Sequence, residues 1–225
     1  MRKDAWQNLG LAVLTAAVLA GVVYLFATWP PQPPSATSAP ASDEERQGTQ
    51  QPVQTISTLS DSHLVHEQSW FLRTVEAGVL DGYTAGTLAS QPGADAQTVR
   101  RLADQTDGSD WVVVQAGTND LRADAEPGLV FADVKSLVRA VRRPNVILAL
   151  VPPSNDRPAA VVQLNRQLTR WAERREVPLL DVYSPVATDD GRFRPGTTDD
   201  DVHVNDRGAQ LQARAAMRQL RGILP

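Results

Sequence analysis

Hydrophobic and polar positions divide the chain into three stretches of different texture. Residues 9–27 consist of Leu, Val, Ala, Gly, Phe and Tyr with a single Thr and no charge, a run long enough to cross a hydrocarbon core as a helix. Residues 30–54 then offer Pro, Ser, Ala, Thr, Gln and acidic side chains with almost nothing to bury. Such a composition cannot offset the entropy of ordering and predicts a flexible, partly polyproline-like stalk. From Val53 onward, short apolar runs alternate with segments whose apolar residues recur every three to four positions.

The apolar runs predict strands over residues 53–59, 75–80, 111–115, 146–151 and 177–182, the second being the weakest of the five. Helical periodicity covers residues 98–105, 130–142, 159–175 and 206–220, with Arg on the faces away from the apolar stripe. Alternating strands and helices predict an α/β domain over residues 55–225: a mostly parallel, doubly wound sheet with helices on both faces. In such sheets functional groups gather beyond the carboxyl ends of strands. Ser62, Gly82, Asn119 and Pro152 all fall just after a predicted strand.

Charge orients the first stretch. Arg2 and Lys3 precede the apolar run, and no basic residue follows it until Arg46, beside Asp43, Glu44 and Glu45. The positive-inside rule therefore places the N-terminus in the cytoplasm, residues 1–29 as a transmembrane anchor, and the rest of the chain outside. Trp6, Tyr24 and Trp29 suit the two headgroup regions. A cleaved signal peptide is the alternative, and it too exports the domain. For the whole chain, 225 residues with 42% apolar content supply one ordinary core, and a formal charge of -4 lacks the clustered basic surface that nucleic acid requires. The chain has no cysteine, which excludes disulfides, thiolate metal sites and a thiol nucleophile.

Three islands carry the candidate chemistry: Ser60-Asp61-Ser62-His63, Gly117-Thr118-Asn119-Asp120 and Asp200-Asp201-Val202-His203. A serine hydroxyl becomes a nucleophile only when a base takes its proton during attack, so Ser62 needs an imidazole within reach. His203 is the candidate base, since the chain's other histidines, His63 and His66, lie immediately after Ser62. Asp200, three residues earlier, is spaced to accept from the imidazole N–H and fix its tautomer, although Asp199 and Asp201 adjoin it. Asn119 can direct an amide N–H at an oxyanion, and Gly82 can add a backbone N–H. Taken singly, each has an ordinary structural reading: Ser62 and Asn119 as caps, Gly82 as a turn residue, the acidic run as the cap of the following helix. A metal site on His63, His66 and Asp201 has no matching ligand motif, and no Gly-x-Ser-x-Gly elbow or phosphate-binding glycine loop is present.

Taken together and in order, Ser62, Gly82, Asn119 and the Asp200/His203 pair resemble the four signature blocks of the SGNH hydrolases, also called GDSL esterases and lipases. The resemblance spans residues 55–224 as an architecture, with few matching letters. It implies a three-layer α/β/α sandwich. It also implies Ser62 as nucleophile, His203 as base, Asp200 as its orienting partner, and an oxyanion hole made by the Ser62 N–H, the Gly82 N–H and the Asn119 side chain. One letter departs from the pattern: Ser60 stands where the family has the first glycine of Gly-Asp-Ser.

The expectation is a membrane-anchored, extracytoplasmic serine hydrolase that cleaves carboxylic esters of a small molecule, lipid or glycan, with no cofactor. An O-acyltransferase using the same site on envelope glycans, and an inactive glycan-binding or envelope-interaction module, are the alternatives.

Overall fold

The computed structural model describes residues 52–142 and 145–225. The predicted membrane span and all but the last residues of the stalk lie outside that range. Among the described residues no helix is long and apolar enough to cross a membrane.

Five parallel strands form the sheet: β1 (Gln54–Ser60), β2 (Tyr83–Ser90), β3 (Trp111–Gln115), β4 (Val146–Ala149) and β5 (Leu179–Leu180), in the spatial order β2-β1-β3-β4-β5. The Trp-Val-Val-Val-Gln run of β3 is buried along its whole length, as a central parallel strand covered on both faces must be. The described residues also form five α-helices, in chain order α1 (Ala96–Arg100), α2 (Thr118–Arg122), α3 (Pro127–Ala140), α4 (Pro158–Arg175) and α5 (Asp206–Ile223). Helices α1, α3 and α4 pack side by side in one layer. Helix α5 lies with the turns Leu72–Glu76 and Ser184–Val186 in the other. Prolines open α3 and α4, where a missing N–H costs nothing, and the Asn205 side chain caps α5 by accepting from Gly208 N (3.1 Å).

This strand order reverses direction between β1 and β3. The chain leaves β1 for β2 on one side, then returns to lay β3 on the other, so the connections beyond β1 and β3 diverge and leave a crevice. Ser62 follows β1 and Asn119 follows β3, which sets both at that crevice. Gly117 makes the second turn possible: its φ is +123°, and a Cβ there would lie 3.2–3.3 Å from Leu164, Val130 and Val151 side chains.

The second predicted strand is a correction. Residues 75–80 do not form one; Leu72–Glu76 is a π-helical turn, and the chain reverses through Gly78 at φ +67°. The strand at that edge is β2, whose burial alternates poorly because it covers little core. Its register also slips beside Ile56–Thr58 of β1, where the Ser57 hydroxyl accepts from Thr87 N (2.8 Å) and Gly86 leaves room for it. The remaining strands and helices lie where the pattern put them, except that the helix expected over residues 98–105 stops at Arg100 and gives way to a 3-10 turn over Ala103–Thr106, and the strand expected over 177–182 shortens to Leu179–Leu180.

Candidate active site

Asp61 builds the turn that presents Ser62. Its side chain accepts from His63 N (3.1 Å), capping a single 3-10 turn over Ser62–Leu64, while Ser62 O accepts from Val65 N and His66 N (3.2 and 2.8 Å). Ser62 opens that turn, so its own N–H has no acceptor inside it.

From the far end of the chain, the loop before α5 brings the other groups. A bridge between Thr198 and Val204 closes this loop, and the Thr198 hydroxyl donates to His203 O (2.7 Å) and accepts from Asp201 N (3.0 Å). Asp200 sits inside it, one oxygen accepting from the Val202 and His203 N–H groups (2.9 and 2.7 Å). Its other oxygen lies 3.0 Å from His203 Nδ1, and His203 Nε2 lies 2.9 Å from Ser62 Oγ. With Nδ1 carrying its proton toward Asp200, Nε2 is free to accept from the hydroxyl. Hydroxyl, imidazole and carboxylate thus stand in one line across 141 residues of sequence. Burial pulls the Asp200 carboxyl upward, but hydrogen bonds from the His203 ring and from the two backbone N–H groups outweigh it. The carboxyl is held well below the usual range and stays ionised.

Asn119 lies on the same side of the sheet. Its amide donates to Ala94 O (3.0 Å), in the loop that leaves β2. Gly82 does not join it. That residue precedes β2, and its carbonyl accepts from Gln54 N at the start of β1, so it sits at the opposite end of the sheet from Ser62. The misplacement follows from the missing strand: with residues 75–80 read as β2, Gly82 fell at a carboxyl end that does not exist. At the true end lies Gln91-Pro92-Gly93-Ala94. Ala94 N donates back to Gln91 O (3.1 Å), Gly93 has φ +75°, and Gln91 N donates to Ser60 O (3.1 Å). Proline followed by glycine in a reversed turn is the sequence signal that marks it.

Beneath the surface lies a buried polar layer. Asp61 is fully buried with Oδ2 unpartnered; burial and then the nearby Asp120 charge push its carboxyl up to about 7, against the lowering effect of the His63 N–H. Thr118 Oγ1 lies near it but outside hydrogen-bond geometry. Tyr183, also buried, donates no charge to this layer: burial, and then Asp61, drive its phenol far upward, and its hydroxyl accepts from Gln115 Nε2 (2.7 Å).

All three histidines meet here. The His66 ring stacks on His203 with centroids 4.4 Å apart and planes 8° from parallel, and His63 approaches at 5.0 Å and 41°. His63 is buried with Nε2 unpartnered; burial, and then the charge of its neighbours, lower it to about 3, so it is neutral. Beside His66 and His203 an open cleft of about 330 Å³ is lined by Glu67, Asp199, Asp200 and Asp206.

No curated protein sequence is similar enough to this chain to match. Solved structures are. A GDSL-like lipase from Bacteroides thetaiotaomicron superposes with a TM-score of 0.62 at 19% identity, over 76% of this chain and 89% of its own. A G-D-S-L family lipolytic protein from Desulfitobacterium hafniense gives 0.63 at 15% identity, over 74% and 99%. An aryl esterase from M. smegmatis gives 0.58 at 15%, over 76% and 100%. At such identities the likeness is one of fold. Family membership comes from the sequence itself: residues 69–211, well over half the chain, match the model of the GDSL-like lipase/acylhydrolase family. That segment contains Asn119, Asp200 and His203 and begins downstream of Ser62, so Ser62 enters the site by its geometry. The chain therefore belongs to the GDSL-like lipase/acylhydrolase family of SGNH hydrolases.

Proposed function

We propose that the protein hydrolyses carboxylic esters by way of an acyl-enzyme on Ser62. The observation that carries this reading is the 2.9 Å approach of Ser62 Oγ to His203 Nε2 with Asp200 3.0 Å behind the ring. His203 takes the hydroxyl proton as Oγ attacks the ester carbonyl, and Asp200 holds the resulting imidazolium. His203 then gives that proton to the departing alcohol, and a water molecule, activated by the same base, releases the acid from Ser62.

The developing oxyanion needs donors aimed at it. The Ser62 N–H and one Asn119 amide hydrogen supply two, since Ala94 O occupies only one of the amide's two N–H groups. Gly93, in the turn beyond β2, takes the place that the sequence pattern assigned to Gly82. The M. smegmatis neighbour is an aryl esterase, which makes a short aryl ester a rational first substrate.

Placement outside the cytoplasm on a membrane anchor is part of the same proposal. It rests on the uncharged run of residues 9–27 behind Arg2 and Lys3. Protease added to intact cells should then digest the domain; full protection would remove the export reading.

Purified protein is expected to turn over p-nitrophenyl acetate and to be labelled by a fluorophosphonate probe. Ser62→Ala should abolish labelling and lower turnover by about 10⁴-fold or more. Equal turnover in the two proteins would remove Ser62 from the mechanism. Transfer to a glycan in place of water would show as acylated acceptor among the products.

A further inference from the structure

Imidazole beside imidazole is an unusual setting for a general base, and nothing in the Ser62-His203-Asp200 line requires it. His66 is half-buried, makes no ion pair among the described residues, and uses its Nδ1 only to accept from Gln68 N (3.2 Å). Its ring nevertheless covers that of His203 almost face to face. We propose that His66 is a positioning residue that acts through His203: its ring, stacked on that of His203, clamps the base between Ser62 and Asp200.

Two physical effects follow from the stack. A neutral aromatic face over an imidazolium favours the charge electrostatically, as with other cations held within about 6 Å of a ring. Once His66 is itself protonated, two like charges face each other across 4.4 Å, and the pair resists taking the second proton. Glu67 on the same segment, Asp199 and Asp200 on the loop before α5, and Asp206 at the start of α5 face this pair with negative charge. Arg73 is engaged elsewhere, on Gln68 and Asp206 (2.6 Å to the latter), and His63 behind His203 is neutral. Desolvation, and then the His203 charge, lower His66 below the ordinary imidazole value, with Glu67 and Asp200 opposing. His66 is therefore a neutral ring at and above neutral pH.

This inference rests on the role of His203 given above, so its test includes a readout that does not depend on catalysis. Ring-labelled histidine in the full chain gives three resonances, and His203 is assigned by its loss in His203→Gln. At pH 8 the His203 signal in His66→Phe, which keeps an aromatic face, should lie close to its place in the unmodified protein. His66→Ala should broaden or shift the His203 signal even at pH 8, where charge is not involved.

If ester hydrolysis is present, kcat should fall by about tenfold in His66→Ala and be largely restored in His66→Phe, with KM little changed in both. A His203 signal unmoved in His66→Ala overturns the proposal. A displaced His203 signal in His66→Ala without ester hydrolysis in the unmodified protein keeps the histidine stack and overturns the esterase reading instead.

Discussion

Ser60 Oγ and Ser90 Oγ are hydrogen-bonded at 2.7 Å, tying the carboxyl ends of β1 and β2 together one turn before the nucleophile. Ser60 is the residue that stands in place of the family's glycine, and the link explains how a side chain is tolerated there: it is fully buried, and its hydroxyl is engaged by Ser90 and by Asp61 O (3.0 Å). Ser60→Gly should therefore leave turnover within a few-fold. It should lower stability by about 1–2 kcal/mol through the lost buried hydrogen bond and the added chain freedom. Chemical denaturation and ester turnover, measured on the same preparation, check both parts.

Asp200 acts by holding the proton on His203 Nδ1 and by stabilising the imidazolium. Asp200→Asn keeps the shape but offers an amide that can turn its N–H toward Nδ1, which selects the wrong tautomer. Turnover should fall by about 10²- to 10⁴-fold, with KM little altered. The same substitution also bears on stability. Because the folded carboxyl is held below its unfolded value, its contribution is present above about pH 4 and is lost as pH falls through the folded value. On acidification from neutral pH the unmodified protein should therefore lose more stability than Asp200→Asn, each measured against its own value at neutral pH.

Three glycine and asparagine variants separate the ends of the sheet. Asn119→Ala should lower kcat by about 10²- to 10³-fold, the usual effect of removing one oxyanion donor. Gly82→Ala, at φ +79° but with open space around it, should cost about 1 kcal/mol of stability and leave kcat untouched. Gly93→Ala strains a turn beside Ser60 and should lower kcat. Equal kcat losses in the Gly82 and Gly93 variants would contradict the placement of the site at the β2 carboxyl end.

Asp61 makes stability fall with rising pH. In the unfolded chain its carboxyl loses its proton near 3.8, whereas in the folded protein it does so at about 7. Between those values the folded state binds more protons, so the slope of unfolding free energy with pH is negative. Asp61→Asn keeps the acceptor for His63 N and places an N–H₂ beside the unpartnered Thr118 hydroxyl. Thermal melting should then show little difference between the two proteins near pH 4. The Asn variant should gain about 2–4 kcal/mol over the unmodified protein by pH 8. A constant difference across that range would rule out the raised carboxyl.

Much of this was written in the pattern of residues. Continuous β-branched runs announced β3 and β4, because strands covered on both faces cannot be polar. Long helices with Arg on the outer face announced α4 and α5. Asp200 and His203 could be paired because three residues separate them and the contact is local. By contrast, β2 was hidden. An edge strand of Tyr, Thr, Ala, Gly, Leu and Ser that buries few positions has no periodic signal, and a neighbouring Val75, Val79 and Leu80 imitated one. The loss of that strand carried Gly82 to the wrong end and left Gly93 unnoticed. The stacking of His66 on His203 was equally illegible, since it depends on how two distant loops are aimed.

Ser62 and His203 lie 141 residues apart, with β1 leading the fold and the loop before α5 closing it. During synthesis, then, the serine emerges long before the ring that activates it, and four of the five strands of the sheet are made in the interval. A ribosome-bound or prematurely ended chain carries a hydroxyl with no more nucleophilicity than any other serine. Reactivity is switched on by completion, so a probe that labels Ser62 reports the finished fold and ignores its precursors.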